Sequence, residues 1–115
     1  MSFTPTAHKG IVMIKRREGT TREEFRDWFL GPHARFGTSV DEIYRYTGSL
    51  LVAPGPRYTF PGGEPPFDLI SEIWCRDRAG IEQAFAKLTT MGGPQNTIDH
   101  VSDRAAYIAE EYTLK

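Results

Sequence analysis

The chain has 115 residues, enough for one domain with a single modest core that buries roughly two thirds of its unfolded surface. Its 14 basic and 15 acidic residues give a formal net charge of −1, which leaves no electrostatic footprint for nucleic acid or an anionic membrane. One cysteine, Cys75, makes neither an internal disulfide nor a thiolate zinc site; no apolar run reaches the ~20 residues of a membrane span, and the start MSFTPTAHKG lacks the apolar stretch of a secretory leader, so the reading is a soluble cytoplasmic protein.

In chain order, residues 1–8 read as a flexible N-terminal arm and 9–115 as one domain. Gly10-Ile11-Val12-Met13-Ile14 is a short, continuous, partly β-branched run, the pattern of a strand buried on both faces. Glu18-Gly19 signals a turn. Thr20 and Thr21 then stand three residues before Glu23 and Glu24, a doubled capping box that opens a helix. Phe25, Trp28 and Phe29 follow at helical spacing and give it an apolar face. Gly31-Pro32 is expected to stop or kink this helix, leaving His33 just past its end, with His33-Ala34-Arg35-Phe36 as a last irregular turn or a restart.

Ile43 to Val52 alternates and reads as a second strand, with Arg45 and Tyr46 on opposite faces. Residues 53–66 hold five prolines and three glycines and read as a long loop of the kind that often binds ligands. Phe67 to Cys75 is a third strand with Ile70, Glu72 and Trp74 on one face. Asp77 is a candidate cap for a helix over 78–88, which carries Ile81, Ala84, Phe85 and Leu88 at helical spacing and is broken by Met91-Gly92-Gly93-Pro94. Residues 95–103 are ambiguous. Ala105 to Leu114 reads as a last strand, with Tyr107, Ala109 and Glu111 on one face. The order β-α-β-β-α-β predicts an α+β, ferredoxin-like fold: an antiparallel sheet with both helices on one side. The other face needs a cover, for which a second copy packed sheet to sheet is the simplest choice, hence a homodimer.

The segment VMIKRREGTTREEFRDWFLGPHARF resembles the EthD family of dimeric α+β barrels. In that family a strand and a glycine-containing turn lead to a Ser/Thr-Arg-Glu-Glu-Phe helix start, an aromatic pair and a His-Ala pair, here His33-Ala34. Arg45-Tyr46, the Glu72-x-Trp74 pattern and the acidic pair before Tyr112 are weaker points of agreement. The resemblance covers about residues 9 to 114. It implies the dimeric barrel and a link to ether degradation without an assigned reaction. Polyketide cyclases or dehydratases, lactone isomerases and cofactor-free monooxygenases share the fold, so analogy of fold selects no single reaction.

The candidate site residues are few. His33 is the leading one: an imidazole that titrates near neutral pH gives or takes a proton, whereas a helix-end histidine merely bonds the last carbonyls. Glu72, mid-strand among apolar neighbours, is the candidate to orient His33 or to act as an acid, against an ion pair with a residue such as Arg45. Arg45 is placed to anchor a substrate oxygen. Tyr46, Trp28 and Trp74 are candidate walls of an apolar pocket, against simple core packing. No Gly-rich nucleotide loop and no spaced metal-ligand set is present, so neither cofactor nor metal is expected. The expected function is a small cofactor-independent enzyme that moves protons on a hydrophobic, oxygen-bearing small molecule by dehydration, cyclisation or isomerisation. The alternatives are a non-catalytic small-ligand-binding or accessory protein, and a cofactor-free monooxygenase.

Overall fold

A computed structural model describes residues 3–53, 55, 66–91 and 99–115. Four strands form one antiparallel sheet: β1 (Ala7–Arg16), β2 (Ile43–Leu50), β3 (Leu69–Cys75) and β4 (Val101–Glu111), in the spatial order β2-β3-β1-β4. Helices α1 (Arg22–Trp28) and α2 (Ala34–Thr38) are joined by a π-helical turn, Phe29–His33, and α3 (Arg78–Thr90) follows β3. The architecture is thus the α+β, ferredoxin-like arrangement expected from the element order. Most of the proline-rich stretch, and residues 92–98 after the end of α3, lie outside the described part. Among the described residues, no helix is long and apolar enough to cross a membrane.

Strand alternation decides which side chains meet the helices. On β1, Gly10, Val12 and Ile14 are buried while Ile11 and Met13 are half-buried, so the strand is not buried on both faces as its continuous apolar run suggested. On β3, Leu69, Ser71, Ile73 and Cys75 point inward. Two connected packing clusters result. Phe25, Trp28 and Phe29 lie on Val12, Ile14, Leu69 and Val101; Ile81 and Ala84 lie with Val40, Ile73 and Cys75. Both helical segments therefore cover the same sheet face.

Local chemistry places the elements. Thr21 caps α1, its hydroxyl accepting the Glu24 N–H at 3.1 Å, and Asp77 caps α3, its carboxylate accepting the Gly80 N–H at 2.8 Å. Asp68 is buried at the start of β3. Its carboxylate accepts the Arg16 N–H at 2.8 Å and faces the Lys15 ammonium at 3.5 Å, so it ties together the ends of β1 and β3. A register shift between Ile43 and Arg45 is a bulge at the start of β2. It lets Ile43 and Tyr46 both pack inward, where strict alternation had put Ile43 on the face of Arg45.

Several boundaries differ from the sequence reading. β1 begins at Ala7, inside the expected arm, because Thr6 already pairs with Glu111. β2 ends at Leu50, α3 runs on to Thr90, and β4 spans Val101–Glu111, displaced toward the N-terminus from the expected span.

Cys75 is 1% exposed, and burial, reinforced by Glu42 and Asp77, pushes its thiol above the ordinary 9.0. Such a group favours the folded state fully below its ordinary value, and that contribution is lost as pH rises through the raised value. We expect Cys75 to resist a thiol reagent such as DTNB at pH 8 in the native protein and to react at the rate of global unfolding. Prompt labelling without denaturant would show that this end of the core opens locally.

Candidate active site

The π-helical turn is the local feature that makes the site. Pro32 has no N–H to give the Trp28 carbonyl, and its ring crowds that turn. The chain widens by one residue instead of stopping: the Ala34 N–H donates to the Phe29 carbonyl, and the helix continues through α2 to Thr38. Of the outcomes expected at Gly31-Pro32, the helix does not stop: it is distorted into a π-helical turn there and continues. His33 is consequently not a terminal residue. It sits inside the helical segment, with its ring 4.6 Å from that of Trp28, 5.7 Å from Phe29 and 6.4 Å from Phe36.

His33 lines a cavity of about 40 Å³ between the helical layer and the sheet. The walls are mostly apolar: Phe36 from α2, Val12 and Ile73 from the sheet, Phe85 and Leu88 from α3. Four further polar side chains reach it: Tyr46 from β2, Ser71 from β3, Thr89 from α3 and Arg104 from β4. The Tyr46 hydroxyl is hydrogen-bonded with Ser71; burial raises its pKa above the ordinary 10.0, against the opposing effects of Ser71 and Arg104. Burial lowers that of the Arg104 guanidinium, which nevertheless stays charged. No aspartate or glutamate lines the cavity among the described residues.

The expected site residues divide between the two sheet faces. His33 and Tyr46 share the cavity. Trp28 is 5% exposed and is not in the cavity wall; it lies behind His33 and stacks on His100 at 4.8 Å and 11°. Glu72, Arg45 and Trp74 are on the opposite face. The Lys9 ammonium lies 3.3 Å from Glu72 and 3.1 Å from Glu111, and the Arg45 guanidinium stacks over Trp74 at 4.4 Å. Glu72 is therefore not the orienting partner of His33, because β3 alternation sends it to the far side of the sheet. In the same way Arg45 is turned away from the cavity that Tyr46 enters.

The outer cluster is electrostatically coherent. Burial alone would lower the Lys9 pKa, but hydrogen bonds to Glu111 and Glu72 outweigh it and leave it raised. The Lys9 hydrogen bond leads the effects that hold Glu111 below its ordinary value, and the Trp74 indole N–H adds to them.

Ser71, Thr89 and Arg104 were not singled out from the sequence. For Arg104 a signal existed. If Tyr107, Ala109 and Glu111 share one face, then Arg104, Ala106 and Ile108 share the other, which puts a lone cation on the side of the helices. Among the described residues, no three His, Cys, Asp or Glu side chains come together as a candidate metal site.

These features define an α+β, ferredoxin-like protein whose candidate site is a largely apolar cavity between sheet and helices, carrying one imidazole. The model of the EthD domain matches residues 17–92, more than half of the chain, and the chain belongs to the EthD family. Solved structures agree in fold. An EthD family protein from Bacillus halodurans is 18% identical, with 92% of this chain and 99% of that chain covered at a TM-score of 0.70. An EthD-like protein from Ralstonia eutropha is 14% identical, with 93% of each chain covered at a TM-score of 0.69. A dimeric ferredoxin-like protein of unknown function from Thermobifida fusca is 9% identical, with 96% and 95% covered at a TM-score of 0.66. A search of the curated proteins gave no match.

Proposed function

We propose that this protein is a small cofactor-independent enzyme that transfers protons on a hydrophobic, oxygen-bearing small molecule in the cavity between sheet and helices. The reaction class is dehydration, cyclisation or isomerisation. The observation that carries this reading is that His33 and Tyr46 both line one mostly apolar cavity. A neutral imidazole takes a proton from carbon or oxygen and returns it elsewhere, and apolar walls strengthen the interactions that hold the developing charge. The cavity is small beside the about 150 Å³ of an engineered cavity that takes up benzene, so entry of an aromatic ring requires Phe36, Phe85 or Leu88 to change rotamer.

The test is deuterium incorporation into a panel of small aromatic ketones in D2O, followed by NMR. Exchange catalysed by the protein and lost in His33→Ala supports the proposal. Ligands that bind and never exchange overturn it in favour of the second reading, a non-catalytic binding protein. That reading draws support from the mostly apolar lining of the cavity, which suits a bound hydrophobic molecule with or without catalysis.

We further propose that the working form is a homodimer packed sheet to sheet. Support comes from the outer face, where Ile11, Met13 and Ile70 are half-buried within one chain and Tyr107 is 61% exposed. The register sets Ile11 beside Tyr107 and Met13 beside Ile70, which makes one continuous apolar patch. Light scattering on a sizing column is expected to give about twice the 13.0 kDa chain mass, and Met13→Asp is expected to give the single-chain mass with the fold retained. A wild-type monomer at micromolar concentration contradicts the packing.

A further inference from the structure

The cavity has a polarity that proton transfer by His33 alone does not use. Among the described residues, its one permanent charge is Arg104. This residue sits on β4 opposite Ile14 of β1, a helix-facing position on an edge strand. Its neighbours on that face are Ala106 and Ile108, so nothing on its own strand neutralises it. The ion pairs among the described residues engage Lys9, Lys15, Arg26, Arg78 and Lys87, and none engages Arg104. Arg104 is exposed along part of its surface and lines the cavity with the rest, which places it at the mouth. Tyr46, which lines the cavity beside Ser71, is an ionisable neighbour that acts on it.

We propose that Arg104 and Tyr46 form the anion-holding end of this cavity, so that the protein selects aromatic molecules bearing an acidic oxygen, a carboxylate or an enolate-type oxyanion. The inference rests on the cavity being the binding site, as in the proposed function, and adds the charge of what enters it. A guanidinium presents a planar fork of donors that matches a carboxylate, and the tyrosine O–H supplies a further donor. The apolar walls hold the ring, and His33, which lines the same cavity, is left for proton transfer. An enolate that forms when His33 removes a proton α to a carbonyl gathers its charge on oxygen. The same two donors stabilise that charge, and no electrons leave the substrate.

The experiment is calorimetric and NMR titration with benzoate and with benzamide, which has nearly the same shape and no charge. We expect benzoate to bind the wild-type protein at least tenfold more tightly, and added salt to reduce that ratio. Arg104→Gln should bring the two ligands within about twofold of each other by weakening benzoate alone, and Arg104→Lys should keep part of the preference. Tyr46→Phe should lower benzoate affinity severalfold with Arg104 in place. A preference that survives in Arg104→Gln overturns the proposal. So does the absence of any preference in the wild type, including failure of both ligands to bind at millimolar concentration. His33→Gln separates this inference from the proposed function. If benzoate preference persists while no protein variant catalyses proton exchange, the anion site stands and the enzymatic reading falls.

Discussion

His33→Ala is expected to abolish proton exchange, or to weaken ligand binding tenfold or more, while the melting temperature moves by only a few degrees. The small structural effect follows from opposing contributions. The ring contact of His33 with Trp28 is worth about 0.5–1.5 kcal/mol. Alanine recovers up to about 0.7 kcal/mol, because it is the better helix former. The functional effect is larger: general acid–base catalysis contributes roughly 10²–10⁴ in rate, and a tenfold change in affinity is about 1.4 kcal/mol. Thermal melts beside exchange rates measure both. A variant that loses several kcal/mol of stability and keeps full binding and exchange in its folded fraction would make His33 a packing residue and no more.

Two glycines of the same helical segment should respond to alanine with opposite signs. At Gly31 nothing lies within 4 Å of an added Cβ, so Gly31→Ala should stabilise the protein by up to about 1 kcal/mol through helix propensity. At Gly37 the added Cβ would collide with the Tyr46 ring, whose Cδ2 and Cζ atoms both come within 2.9 Å. The same propensity gain is there outweighed by overpacking, which typically costs about 1–3 kcal/mol. The ring that must move is the one that lines the cavity and meets Ser71, so Gly37→Ala should lower both the unfolding midpoint in urea and the affinity for any cavity ligand. If Gly37→Ala is as stable as the wild type and binds as well, Tyr46 is not held where the structure places it.

The elements that were legible in the sequence are those with local chemical signals. The Thr21 and Asp77 caps, the helical spacing of Phe25, Trp28 and Phe29, and the alternation of β3 depend only on nearby residues, and each led to the right kind of element. Family membership was legible from the segment that runs from the β1 turn to His33-Ala34. What was not legible depends on which of two similar faces wins. On β3 one face carries Ile70 and Trp74 and the other Leu69 and Ile73, so hydrophobicity could not say which meets the helices. Glu72 was for that reason grouped with His33, whereas the fold separates them by the thickness of the sheet. Arg45 and Tyr46 were read as pointing to opposite faces, which leaves open which of the two enters the cavity. The π-helical turn is a second kind of difficulty. Gly-Pro signals a break, and only packing of Phe29 and His33 on the core makes it better for the helix to widen and continue.

The central claim is that ligands enter between the helices and the sheet, at His33. Its most direct test is NMR mapping of the wild-type protein during titration with benzoate and with a small aromatic ketone, observing imidazole, indole, hydroxyl-adjacent and guanidinium signals. We expect the largest changes at His33, Tyr46, Ser71 and Arg104, with Trp28 responding through its contact with His33 and with Glu72, Arg45 and Trp74 unmoved. Changes confined to Trp74, Arg45 and Lys9 would put the ligand on the outer face of the sheet and contradict the claim.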